Sequence, residues 1–99
     1  MVKHIVMWSF KEEVGAEERK EASVKIKEGL EGLVGVVPGL LKAEVVIDPI
    51  SSSSHDLALI SELDTPESLK AYATNPDHVK VATFVRSVTC NRACMDYEF

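Results

Sequence analysis

The chain has 99 residues, 45% of them apolar and 27% charged, which describes one small globular domain with a modest core and excludes a disordered or fibrous polypeptide. Its net charge of −5 sits wholly in residues 43–99, with four basic and nine acidic side chains, while residues 1–42 hold seven of each. With no basic stripe, nucleic acid and anionic membrane surfaces are not expected partners.

No apolar run approaches the roughly 18–20 residues of a membrane helix. The opening Met-Val-Lys-His-Ile-Val-Met-Trp lacks the features of a signal peptide, so a cytoplasmic protein is expected. Residues 2–10 are β-rich and predict a strand, with His4, Val6, Trp8 and Phe10 on one face and Lys3, Ile5, Met7 and Ser9 on the other. From about Glu17 to Val36 the period lengthens. Ala22, Ile26, Leu30, Leu33 and Val37 form one apolar stripe, and Glu17, Glu18 and Glu21 suit the positive end of a helix. Gly35 and Pro38-Gly39 are expected to end that helix.

Leu40 to Asp48 predicts a second strand, with Leu41, Ala43, Val45 and Ile47 sharing a face, and Pro49 stops it. After a polar run of four serines, residues 56–63 predict a third strand, the hairpin partner of the second. Thr65-Pro66 and Asn75-Pro76 are successive helix starts, each a cap followed by proline at the first helical position. They predict helices over about 66–73 and 76–88, the latter turning Val81, Val85 and Val88 inward. Residues 90–98 close the chain as a fourth strand, with Ala93, Met95, Tyr97 and Phe99 facing one way.

Cys90 and Cys94 on such a strand lie about 13 Å apart, too far for a disulfide, whose Cα atoms sit about 4.4–6.8 Å apart. They are expected as reduced cysteines packed as small hydrophobes. The order β-α-β-β-α-β predicts an α+β, ferredoxin-like subunit, a four-stranded antiparallel sheet with helices on one face. Helices cover only one face, yet the first and third strands are apolar on both. The uncovered face would therefore expose a large patch, and a homodimer through that face is expected.

The opening Val2 to Lys11, Pro38-Gly39 and the segment Leu69-Lys-Ala-Tyr-Ala-Thr-Asn-Pro-Asp-His-Val together resemble the stress-responsive dimeric α/β-barrel (Dabb) domain family over essentially the whole chain. The resemblance implies two ferredoxin-like subunits joined sheet to sheet in one barrel. It also implies a chemistry found in a plant member of the family, cyclisation of a linear polyketide by aldol condensation. The catalytic Tyr and His of that chemistry match Tyr72 and His78, and a further His matches His4.

The residues themselves allow such chemistry. With Asn75 as cap, His78 falls at the third helical position, where the helix dipole disfavours the imidazolium and leaves a neutral base. Such an imidazole takes a proton from carbon beside a carbonyl, and the Tyr72 hydroxyl suits a developing enolate. If the face carrying His4 meets the helices, His4 points into the same cavity. The alternative gives all three a packing role only, while His55, after the serine run, is read as solvated. His4 and His78 offer two nitrogens but no third ligand at recognisable spacing, so no metal site is expected. Nor is any cofactor expected, since no phosphate loop or dinucleotide fingerprint is present.

Three functions follow. The first is a stress-responsive homodimer whose cavity takes an apolar or aromatic small molecule. The second is a polyketide-cyclase-like or lyase enzyme without cofactor. The third is a cofactor-free monooxygenase, a chemistry known among other dimeric ferredoxin-like barrels.

Overall fold

The computed structural model describes all 99 residues. Strand β1 (Val2–Phe10) leads to helix α1 (Ala16–Glu31), then to β2 (Leu40–Val46) and β3 (Leu57–Leu63). Two abutting helices, α2 (Pro66–Thr74) and α3 (Pro76–Val88), precede β4 (Thr89–Glu98). The strands form one antiparallel sheet in the order β2-β3-β1-β4. This is the ferredoxin-like arrangement.

Register puts the expected sides of β1 where alternation places them. His4 pairs with Ser61 and Asp96, Val6 with Leu59 and Cys94, and these face the helices. Val6, Leu59, Leu63 and Val45 are buried beneath Ile26 and Leu30 of α1. The other face carries Met7, Ile60, Met95 and Tyr97, all exposed, with Met95 63% accessible. An apolar sheet face open to solvent is what both-sided β1 and β3 require of a single subunit.

Three expectations need correction. Helix α1 stops at Glu31, before Val36, because Gly32 is a poor helix former followed by a turn-rich run. Leu33 and Val37 are nevertheless buried, as Gly35, at φ 87°, lets the turns fold back under the sheet edge. In β2 a register shift between Leu40 and Lys42 puts Leu40 inward and leaves Leu41 exposed. Finally, Cys90 and Cys94 are free as expected but exposed, since β4 is an edge strand with helical cover only at its start.

Candidate functional site

Between the α2–α3 pair and the β1–β4 side of the sheet lies a cavity of about 650 Å³. His4, Tyr72 and His78 all line it, so the structure brings together the three residues singled out in the sequence. His55 lies elsewhere, half-buried beside Ser54. Two further depressions on the molecule, one around Lys42 and Glu44 and one beside α1, contain no histidine or tyrosine.

The geometry comes from a one-residue break between helices. The Thr65 hydroxyl accepts from the Ser68 N–H at 3.0 Å and starts α2. Asn75 ends α2, its N–H donating to the Tyr72 carbonyl at 3.2 Å. Its side-chain oxygen then accepts from the Asp77 N–H at 2.9 Å and starts α3. Proline at position 76 holds Asn75 in an extended conformation, ψ 130°, which breaks the helix there. On an unbroken helix residues six apart would point about 120° away from each other. The break instead stacks Tyr72 and His78, ring centroids 4.1 Å apart and planes tilted by 38°.

His4 enters from below on β1, its ring edge-on to Tyr72 at 6.0 Å. Its Nδ1 is hydrogen-bonded to the Asp96 carboxylate, which orients the ring. Ser61 donates to the His4 carbonyl at 3.0 Å, fixing the backbone beneath the ring.

Burial sets the protonation states. Tyr72 is 2% accessible, and its phenol is pushed up to about 12 by desolvation, so it stays a hydrogen-bond donor. The His78 imidazole titrates below its usual value. Burial is the largest cause, and the charges of His4, Arg86 and Arg92 add to it while the Ala73 backbone opposes. The direction is the one expected of a histidine at a helix start. His78 Nδ1 is buried with no protein hydrogen-bond partner.

Sequence reasoning missed Cys94 and Asp96. They sit at i and i+2 on β4, on one face, and pairing with Val6 and His4 places them at the cavity. Cys94 Sγ lies 3.9 Å from His4 Nδ1 and 3.6 Å from Asp96 Oδ1. His4, Cys94 and Asp96 offer one nitrogen, one sulfur and one oxygen within 4.8 Å, a donor set of the kind zinc takes. His78 is not among them. Burial and the Asp96 carboxylate push the Cys94 thiol up, so it is no ready thiolate nucleophile. The signal that could have found this cluster is Cys-x-Asp on a strand opposite His-x-Val. Together the side chains supply a phenol donor, a neutral imidazole and an imidazole–carboxylate pair around one apolar space.

The family model of the stress responsive A/B barrel domain matches residues 2–99. The chain belongs to that family. The family's fold is the one built above, and solved relatives agree. A dimeric protein of unknown function with a ferredoxin-like fold from Bacteroides fragilis is 35% identical, with TM-score 0.92 over 99% of this chain and 95% of that one. A protein of Arabidopsis thaliana is 24% identical, with TM-score 0.79 over 100% and 95%. An antibiotic biosynthesis monooxygenase shares the fold at 13% identity, with TM-score 0.76 over 100% and 98%. No curated protein matches the chain. No helix is long and apolar enough to cross a membrane.

Proposed function

We propose that this family member works as a homodimer and binds an apolar or aromatic carbonyl compound in the cavity beneath α2 and α3. There His78 takes a proton from carbon beside the carbonyl, and Tyr72 donates to the oxygen as negative charge builds on it. The outcome is aldol-type ring closure or carbon–carbon cleavage. The observation that carries this reading is the Tyr72–His78 stack at the cavity, a phenol kept protonated against an imidazole kept neutral. His4, tied to Asp96, is a positioning residue that packs edge-on to the Tyr72 ring.

The dimer reading is supported by the exposed apolar face around Met7, Ile60 and Met95, together with the dimeric Bacteroides fragilis relative. Sedimentation should give twice 10.9 kDa at micromolar concentration, and a single-chain mass there would remove this part of the reading. For the site, the three His resonances are followed by NMR during addition of phenolic and β-keto compounds. His78 should move on ligand addition. His78→Ala should abolish turnover while costing less than about 1 kcal/mol of stability. A loss of several kcal/mol with ligand binding untouched would make the histidines structural, the role they have in the rival reading. The monooxygenase reading rests on shared fold alone.

A further inference from the structure

The distribution of charge around this cavity runs against that of the chain. Residues 43–99 contain only four basic side chains, Lys70, Lys80, Arg86 and Arg92. Three of them, Lys70 from α2, Arg86 from α3 and Arg92 from β4, line the cavity. None of the three is in an ion pair: the salt bridges of the molecule are Lys3–Glu62, His4–Asp96, Lys20–Glu17 and Lys27–Glu31. Arg86 makes only a 3.5 Å contact with the Thr83 hydroxyl of its own helix. The single carboxylate in the lining, Asp96, is engaged by His4. So three of the four cations in the acidic 43–99 segment, none of them ion-paired, come from three separate elements to one pocket. The pocket interior below them is apolar, formed by Val6, Trp8, Leu59 and Val85.

We propose that the cavity is selective for anionic ligands, an apolar or aromatic body bearing a carboxylate that Arg86 and Arg92 hold at the mouth. This rests on the cavity reading given above and names the substrate class it left open. The guanidinium group is suited to the task, since its planar fork of N–H donors matches a carboxylate two bonds at a time. Lys70 adds a mobile point charge on the α2 side. None of the three cations has an ion-pair partner in the protein, so an incoming anion meets guanidinium and ammonium groups that are free to bind it. The carboxylate end at the mouth directs the opposite, apolar end inward past His78 and Tyr72. A keto acid bound this way presents its carbonyl carbon chain to the imidazole.

The test compares a matched pair of probes, 2-naphthoate and neutral 2-naphthamide, titrated calorimetrically into the dimer. Four proteins are compared: the parent chain, Arg92→Gln, the double variant Arg86→Gln/Arg92→Gln, and Lys80→Gln as a control on an exposed α3 position outside the cavity lining. The parent should bind naphthoate at least about tenfold more tightly than naphthamide, a difference of about 1.4 kcal/mol. The preference should shrink in Arg92→Gln, vanish in the double variant, persist in Lys80→Gln and weaken with added salt. Equal affinity for the two probes in the parent, or a preference that survives loss of both arginines, overturns the charge selectivity and leaves the cavity reading standing. If neither probe binds at millimolar concentration, both fall together.

Discussion

The helix-covered face of the sheet has two unlike halves. Over β2 and β3, α1 lays down Ala22, Ile26 and Leu30, and its turns add Leu33 and Val37, all buried. On the β1–β4 side, α3 and the end of α2 bury only Tyr72, Val85 and Val88, and the space left over is the cavity, while the rest of α2 rests on β2 and β3. The first half is also clasped by polar bonds. Lys27 Nζ donates to Glu31 Oε2 and to the Val45 carbonyl, both at 2.8 Å, and the Val45 N–H donates back to Glu31 at 2.9 Å. That clasp satisfies backbone groups of the edge strand β2. The far edge, β4, has one buried residue, Thr89. A continuous 16-residue helix can fill its side of the sheet, whereas two short helices with a break at Asn75 cannot. Stability is therefore concentrated in one half, and the other half is left free for chemistry.

The sharpest way to break this comparison is Ile26→Ala. Ile26 is 0% accessible, and truncation there should cost about 3–4 kcal/mol in chemical denaturation. A cost below about 1 kcal/mol would mean the α1 half collapses around the hole and is not the rigid half.

A smaller effect belongs to the hinge between α2 and α3. Asn75→Ala removes the acceptor for the Asp77 N–H and should cost about 1 kcal/mol. Unlike Ile26→Ala, it should also disturb the cavity. His78 sits three residues past the cap, so loosening the first turn of α3 separates its ring from Tyr72. The measurement is the chemical shift of the His78 ring protons, which carry the ring current of the stacked tyrosine. An unchanged shift would show that packing and not the cap holds the pair together.

Much of this architecture was legible because it is written locally. Alternation in β1 placed His4, Val6 and Trp8 on one face, and the two cap–proline pairs placed Tyr72 and His78 at the ends of consecutive helices, to within a residue of their observed bounds. What escaped depends on distant parts of the chain. Asp96 meets His4 through pairing of the first and last strands, and no local preference fixes that register. The bulge at Leu40 and the early stop of α1 at Gly32 failed for another reason. There the apolar stripe continues past the helix, since turns bury Leu33 and Val37 as well as a helix would, so periodicity alone could not mark the end. The cationic rim escaped too, because Lys70, Arg86 and Arg92 are ordinary solvated charges until three elements converge.

The smallest effect separates the halves by pH. In the hollow half, the folded-state pKa of His78 lies below its ordinary value, so the unfolded chain binds a proton that the folded chain refuses. Stability is unaffected above about pH 6.5 and declines as pH falls from there toward the depressed folded value. In the packed half, the hydrogen bond from Lys27 is the largest cause holding the Glu31 carboxyl below its ordinary value. That contribution is complete above about pH 4.5 and is lost as pH falls further, toward and through the folded value. Both groups lower stability on acidification, but in successive windows. Glu31 is a third exposed, so solvent screening keeps its share small. Denaturation midpoints measured from pH 8 to pH 3 should show two slopes. His78→Gln should flatten the one beginning near pH 6.5 and leave the other, and Glu31→Gln should do the reverse. A single variant that flattened both would mean the two halves unfold as one electrostatic unit, and the division between a packed half and a working half would fail.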